Sequence, residues 1–239
     1  MPAARTAQTA QTPAETGAEG RRFHAILDAA EQVFANSGYD GATMRAIAGK
    51  AGVTQALIHY HFKDKASLFA IMTERRANEI NNARLARLGA LLAPGARPPL
   101  EAVVEALFRP IIESGLEMAR HGGGFARIMV SLANSTHPRD QALAKRLFDP
   151  VAEAFIAAFQ RAEPGLARPD AVWGYMFSIG VGMTMMAGTG RTLRLSGGQA
   201  NDRDAEQLLD KITTFICAGI QALAQGGTTD CQQQGEEER

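Results

Sequence analysis

Residues 43–65 read TMRAIAGKAGVTQALIHYHFKDK, and this stretch decides the fold of the N-terminal part of the chain. Thr43 can cap a helix, because its hydroxyl accepts from an otherwise unpaired amide of the first turn. The apolar residues that follow recur at helical spacing and form one face: Met44, Ile47, Ala48 and Ala51. Gly52 supplies the positive φ that ends this helix, and Thr54 caps the next one. Two short helices joined at Gly52 are therefore predicted.

The second of these helices has two faces of opposite character. One face carries Leu57, Ile58, His61 and Phe62. The other carries groups that can touch DNA: Gln55, Ala56, His59, Tyr60 and Lys63. Such a pair is typical of a helix-turn-helix DNA reader, whose second helix enters the major groove. An ordinary helical hairpin with a polar face fits the same pattern, and these residues alone leave that alternative open.

Composition limits the classes of function. The 239-residue chain has a formal net charge of zero, so no overall field draws it to nucleic acid. Residues 21–65 hold six Lys and Arg residues against four Asp and Glu residues, a modest excess that helps only if it converges on one face. Cys217 and Cys231 show no disulfide or metal-ligand spacing. The N-terminus lacks the apolar core of a signal peptide, so we expect a cytoplasmic protein.

Helical periodicity covers most of the chain and predicts an all-α fold. Residues 1–20 and 226–239 are polar without periodicity, and we expect a disordered arm and a disordered tail. Residues 21–66 are predicted to form a three-helix DNA-binding head. Residues 67–225 are predicted to form a larger helical body for ligand binding and dimerisation.

Breaks and prolines predict the limits of the individual helices. The first helix is expected to end at Ser37-Gly38, and Asp64 is expected to cap a long fourth helix that stops before Pro94-Gly95. The later predicted helices cover 100–120 with a kink at Pro110, 125–132, 138–162 with strain at Pro150, an uncharged stretch from Ala171, and 204–224.

The stretch from Ala171 to Gly190 contains no charged residue and is long enough to cross a bilayer. Five of its residues are glycine, however, and no Lys/Arg clusters flank it. This composition favours a helix buried on all sides, as in the core of an oligomer.

Aromatic and thioether side chains along the body suggest an apolar cavity for a small molecule. The candidate ligand-binding residues are Phe108, Ile112, Phe125, Met129, Phe155, Trp173, Tyr175, Phe177 and Met183. For any one of them, ordinary core packing is the more common explanation. Candidate polar groups for orienting the ligand are Tyr175, Asn134, Arg127, His121 and Thr184. We find no cationic cluster among these helices, so a hydrophobic or amphipathic effector is expected.

Small residues near the C-terminus suggest a dimer. Gly180, Gly182 and Gly188 allow helices to approach closely. Together with four residues of the last helix they suit a four-helix interface between two copies: Phe215, Ile216, Cys217 and Ile220.

Three motifs at fixed spacing, G-x-x-x-x-T-x-x-x-I-A, A-G-V-T and H-Y-H-F-x-x-K, resemble the TetR family of bacterial transcription regulators over residues 21–72. The resemblance implies a three-helix DNA-binding head and a divergent helical body that binds a small molecule and dimerises through its last two helices. Beyond Leu100 the likeness is looser. The spacing of F-A-R-I-M, H-P and L-F-D-P is somewhat similar to the branch that includes fatty-acid-responsive repressors.

The resemblance also implies roles for individual residues. It places Gln55, Ala56, His59 and Tyr60 at base edges. It places Thr43 and Lys65 at phosphates, with Thr54 and His61 as lesser candidates. His59 stands where the family often has Tyr, and Ala56 where it often has Gly or Pro, so no operator sequence can be borrowed. The implied function is a homodimeric repressor released from a palindromic operator by its effector, although activation results if the operator lies elsewhere relative to the promoter.

Two other classes of function have less support in the sequence. For an enzyme, we find no phosphate-binding loop, nucleophile elbow or zinc motif, and we expect no cofactor. His59 and His61 are two residues apart and point away from each other on a helix, so they cannot bind one metal together. A non-specific architectural DNA protein is disfavoured by the zero net charge and the large apolar body.

Overall fold

The structure is a computed structural model that describes residues 17–120, 124–186 and 189–226. These residues form ten α-helices and no β-strand, so the all-α prediction is confirmed for this part of the chain. The helices are α1 (Ala18–Gly41), α2 (Met44–Ala51), α3 (Gln55–His61), α4 (Lys65–Leu91), α5 (Leu100–Arg120), α6 (Phe125–Ala133), α7 (Pro138–Ala162), α8 (Arg168–Met186), α9 (Arg191–Leu195) and α10 (Ala205–Ala224). We call α1–α3 the head and α4–α10 the body.

Several predicted boundaries need comment. Residues 18–20 belong to α1, so the predicted N-terminal arm ends earlier than residue 20. Gly38 breaks the geometry of α1 with φ 68° and ψ 176°, at the predicted end of the first helix. The short helix α9 was not predicted. Residues 1–16 and 227–239 of the predicted arm and tail, as well as His121 and Gly188, lie outside the described residues.

Two hydrophobic cores hold the chain together. One core joins the head to the first half of α4, to α6 and to the start of α7, and Phe62, Met72 and Phe125 all belong to it. The other core packs α5, α7, α8 and α10 around Phe108, Phe155 and Phe159. Because the first core passes from the head into α6, a division of the chain at residue 66 stays a prediction.

Two prolines inside helices are accompanied by polar side chains of α4. A proline inside a helix removes a backbone donor and bends the helix, which weakens the bonding of nearby carbonyls. The Asn81 amide donates to the carbonyl of Leu147 at 2.9 Å, three residues before Pro150 of α7. The Arg84 Nε donates to the carbonyl of Leu107 at 2.8 Å, three residues before Pro110 of α5. Helix α4 therefore holds both bent helices in place.

Candidate DNA-reading surface and effector cavity

Local capping fixes the geometry of the helix-turn-helix. The Thr43 hydroxyl accepts from the amide of Ala46 at 3.1 Å, and the Thr54 hydroxyl accepts from the amide of Leu57 at 3.3 Å. Between them Gly52 ends α2 in the left-handed region, with φ 66° and ψ 31°. On the inner side of α3, Ile58 and the capping residue Phe62 are buried. These contacts hold α3 in a fixed orientation against α1 and α2.

The outward face of α3 is exposed as the sequence pattern predicts. Gln55, Ala56 and His59 are exposed, and Tyr60 is 76% exposed. The side chains of Gln55 and His59 lie 3.4 Å apart through their Nε2 atoms, so the imidazole can fix the orientation of the amide. Cationic side chains are also exposed on the head: Arg21, Arg22, Arg45, Lys50 and Lys63. Among the described residues, none covers the side chains proposed to contact bases.

Two of the residues predicted to contact phosphates, Lys65 and His61, make contacts within the head. The Lys65 ammonium donates to the carbonyls of Tyr39, Asp40 and Ala42, at 2.9, 3.4 and 3.1 Å, and lies over the Tyr39 ring. These bonds tie the start of α4 to the end of α1 and to Ala42, and a phosphate contact by Lys65 stays a prediction. His61 is half-buried with its ring edge-on to Phe23, so it belongs mainly to the packing of the head.

Thr43 and Thr54 remain available for phosphate, because a capping hydroxyl accepts through its oxygen and keeps its own O–H to donate. Both threonines are exposed at the start of their helices. These two positions also present backbone amides at helix N-termini, where anions are favoured.

The body contains a cavity of about 590 Å³ bounded by α4, α6, α7 and α8, with two residues of α5. Five of the nine predicted ligand-binding residues line it: Phe108, Phe125, Met129, Tyr175 and Met183. Ile112 and Phe155 do not, because both are buried in the core between α5, α7 and α8. Trp173 and Phe177 also do not, because they project outward from α8 and stack on each other with centroids 5.5 Å apart.

The polar side chains of the cavity differ from the predicted ones, apart from Tyr175. Arg127 instead donates to the Ala35 carbonyl at 3.1 Å and to the Asn36 side chain at 3.0 Å, at the end of α1. Asn134 bonds to the Val130 carbonyl of its own helix. Thr184 likewise bonds to the Gly180 carbonyl.

Sequence reasoning missed the polar residues that α4 contributes to the cavity. Asn81 and Arg84 are 4% and 6% exposed and line its wall. Burial lowers the pKa of the Arg84 guanidinium to about 10, so it stays protonated at neutral pH. Burial raises the pKa of the nearby Tyr175 phenol. Both α4 residues share the helical spacing of Ala77, Ile80 and Leu88, so the buried stripe of α4 was a signal available in the sequence.

Helix α6 lies between the cavity and the head. Its residues Phe125, Met129 and Leu132 line the cavity. The same short helix carries Arg127, whose guanidinium binds the end of α1. A change in the cavity that displaces α6 therefore acts directly on the helix that supports the DNA-reading surface.

Helix α8 has three different faces. One face lines the cavity through Val172, Tyr175, Met176, Ile179 and Met183. A second face packs inside the subunit, where a Cβ added at Gly182 would collide with the Phe108 ring. The third face is exposed and uncharged: Trp173, Phe177, Gly180 and Thr184. None of the described helices is long and apolar enough to cross a membrane.

The predicted dimer residues divide between the interior and the surface. Gly182, Ile216, Cys217 and Ile220 pack inside the subunit instead of forming an outer face. Phe215 is 68% exposed, and with Ala218, Gly219 and Ala222 it forms an uncharged stripe on α10, which packs beside α8. We call this stripe and the third face of α8 the outer apolar face.

The chain has a helix-turn-helix head and a helical body that contains a cavity. Its sequence matches two family models. "Bacterial regulatory proteins, tetR family" matches residues 26–72, and "Tetracyclin repressor-like, C-terminal domain" matches residues 105–219. The chain therefore belongs to the TetR family of bacterial regulatory proteins, as its motifs predict. Members of this family are regulators and not enzymes.

Two curated relatives match short segments of the chain. The HTH-type transcriptional repressor BepR of Brucella suis is 51% identical over 45 residues, which cover 19% of this chain and 22% of BepR. The HTH-type transcriptional regulator AcrR of Shigella flexneri is 38% identical over 68 residues, which cover 28% of this chain and 31% of AcrR. The chain thus matches less than a third of the length of these relatives.

Solved structures resemble almost the whole chain. The transcriptional regulator FadR from Bacillus subtilis, crystallised in complex with stearoyl-CoA, superposes with a TM-score of 0.62 at 13% identity. The match covers 82% of this chain and 98% of that one. At this identity the likeness establishes the fold alone.

Proposed function

We propose that this chain is a homodimeric transcriptional regulator that binds a pseudo-palindromic operator and releases it when an amphipathic small molecule enters the cavity. The exposed face of α3 carries the proposal, because polar groups suited to base edges stand on a helix that is anchored from below. Repression is the simplest outcome of operator binding.

The exposed side chains suit different parts of the major groove. The Gln55 amide can form two hydrogen bonds with adenine, and the Ala56 methyl can contact the methyl group of thymine. Tyr60 can pack on a sugar or at a base edge. The Thr43 and Thr54 hydroxyls can donate to phosphates, which fixes the register of the helix without reading sequence.

A single head of this size makes too few contacts for tight binding, so two heads are needed. The outer apolar face of α8 and α10 provides the means of pairing them. Trp173, Phe177 and Phe215 are large apolar side chains exposed together on neighbouring helices. A second copy related by twofold symmetry would bury them in a four-helix contact.

Effector control requires that the cavity and the heads are coupled. The cavity is lined by α4, which leads directly to α3, and by α6, which binds α1 through Arg127. A ligand that prefers a conformation with wrongly spaced heads lowers DNA affinity by no more than its differential affinity for the two conformations. The fold thus offers two physical connections between ligand and DNA.

Selection of bound duplexes from a randomised DNA library tests the proposal on the full-length protein. We expect a pseudo-palindrome to be enriched. In the Gln55→Ala variant, we expect a loss of about 1–3 kcal/mol confined to one base position in each half-site. Lys63→Ala is the matched control, because the loss of this exposed lysine should weaken binding to every DNA sequence to the same degree. If Gln55→Ala lowers affinity equally for all DNA sequences, Gln55 does not contact bases. If no sequence is enriched from the library, the proposal of a sequence-specific regulator is wrong.

A further inference from the structure

The cavity contains a buried positive charge that pairs with no carboxylate among the described residues. Arg84 is 6% exposed and lines the cavity. Its Nε binds the Leu107 carbonyl and its Nη1 binds the Asn81 side-chain oxygen at 3.3 Å, both neutral acceptors. Among the described residues no carboxylate lies within ion-pair distance of this guanidinium. Buried charges in proteins are normally paired, so this arrangement calls for an anion.

The guanidinium has capacity left for such a partner. It carries five N–H groups, and the bonds to Leu107 and Asn81 use only part of them. Arg84 also interacts electrostatically with Tyr175, whose phenol is itself buried in the cavity wall. Arg84, Asn81 and Tyr175 together form a polar end that can surround a small charged group.

The rest of the lining is mainly apolar. Ile80, Phe108, Ile111, Met129, Met183 and Met186 provide hydrocarbon, ring and thioether surface. The other charged lining residues, Lys145 and Asp149, are exposed and have opposite signs, so together they add no net charge. A cavity of about 590 Å³ is within the usual range for one small molecule.

We infer that the effector is an amphipathic monoanion, a carboxylate on an apolar tail, whose carboxylate pairs with Arg84 inside the cavity. The inference rests on the proposed function, since it names the ligand class of the proposed effector cavity. One negative charge balances the one buried positive charge, and a carboxylate matches the forked donors of a guanidinium. A neutral ligand would leave the charge unpaired, and an acyl-CoA inserted by its acyl chain would place hydrocarbon against it.

Calorimetric titration of the full-length protein tests this inference. The ligands are octanoate, decanoate and dodecanoate, each paired with the primary alcohol of the same length, together with decanoyl-CoA. We expect at least one carboxylate to bind about tenfold or more tightly than its alcohol, because a charge-assisted pair replaces a neutral hydrogen bond. Decanoyl-CoA should bind more weakly than decanoate.

Variants assign the effect to Arg84. Arg84→Gln keeps an amide donor for the Leu107 carbonyl and should bind carboxylate and alcohol equally. Arg84→Lys should keep part of the preference. Lys145→Gln is the matched control, since it removes the exposed cation of the cavity wall and should leave the preference unchanged. If Arg84→Gln does not fold, Tyr175→Phe replaces it and should reduce the preference through loss of the neighbouring hydroxyl.

The outcomes separate this inference from the proposed function. Equal binding of each carboxylate and its alcohol, no binding of either, or a preference lost in Lys145→Gln instead of Arg84→Gln would overturn the anion site. Operator selection with the same protein is unaffected by those results. A protein that prefers the carboxylate through Arg84 but enriches no DNA sequence would overturn the regulator and leave the anion site in place.

Discussion

The ammonium group of Lys65 lies within the head, where carbonyls at the end of α1 and the carbonyl of Ala42 surround it. This contact joins the first residue of α4 to the residues immediately before Thr43, which caps α2. We therefore propose that Lys65, which resembles a phosphate ligand in the motif, acts here by positioning its neighbours. Its effect on DNA binding should be indirect, by keeping Thr43 and α2 in place.

Replacement of Lys65 by Met tests this role, because methionine keeps most of the apolar stem and removes the donor. We expect a loss of about 1–3 kcal/mol in the free energy of unfolding, since the carbonyls of Tyr39, Asp40 and Ala42 lose their donor. Operator affinity should fall for all sequences, while the slope of log affinity against log salt concentration changes little. Titrations at several salt concentrations measure that slope. Lys63→Met, the exposed comparison, should flatten it by about one unit, and the same flattening in Lys65→Met would place Lys65 at a phosphate.

At the level of residues, the sequence predicts what depends on near neighbours. The caps at Thr43 and Thr54 and the turn at Gly52 involve groups three to five residues apart, and the structure has them as predicted. The position of Lys65 depends on carbonyls 23–26 residues earlier in the chain, and no local pattern records that contact. The same limit applies to Arg127, which reaches α1 from α6.

At the level of helices, α4 shows how a polar residue becomes part of a core. Asn81 and its neighbour Asn82 are identical in type, but Asn81 is buried against α7 and Asn82 is exposed. The difference follows from the position of each residue around the helix, which turns Asn81 toward the Leu147 carbonyl of α7. Sequence periodicity located α4, α5 and α7 well, because their apolar spacing and their prolines are local features.

The two asparagines provide a matched pair of variants. Asn81→Leu keeps the branched side-chain shape and removes the donor to the Leu147 carbonyl together with the acceptor for Arg84, so we expect the free energy of unfolding to fall by about 1–3 kcal/mol. Asn82→Leu should stay within about 0.5 kcal/mol of the wild type. Denaturant unfolding at one fixed protein concentration gives both values, since dimerisation makes apparent stability depend on concentration. Equal losses in both variants would show that the hydrogen bond to α7 contributes nothing.

The three faces of α8 explain why its sequence could not assign individual residues. Apolar side chains occur all around this helix, so its periodicity is weak and Phe177 and Tyr175 are indistinguishable by pattern. Their roles separate only when α5, α7 and α10 take their places around α8. Phe108, Phe125 and Met129 line the cavity and Trp173 and Phe177 project away from it, while the binding of a ligand there stays a prediction.

At the level of the whole molecule, a single copy leaves a large apolar surface uncovered. Trp173 and Phe177 are 58% and 59% exposed on α8, and Phe215 is similarly exposed on α10. The sequence predicted that the uncharged helix would be buried on all sides, and no described residue covers the third side of α8. In the proposed dimer a second copy supplies that cover and also brings a second head to the same DNA.

Disruption of the outer apolar face should separate the two copies and the two heads together. We expect Phe177→Asp to convert the protein from dimer to monomer, because pairing would bury two unpaired carboxylates near the symmetry axis. Sedimentation equilibrium measures the mass, and the emission of Trp173, the chain's single tryptophan, should shift to the red as the interface is lost. The monomer should keep carboxylate binding, since Phe177 lies outside the cavity lining, and should lose tight binding to the full operator. Leu85→Asp places the same charge at an exposed site on α4 and should leave the dimer intact. A wild type that sediments as a monomer, or a Phe177→Asp variant that remains dimeric, would contradict pairing through α8 and α10.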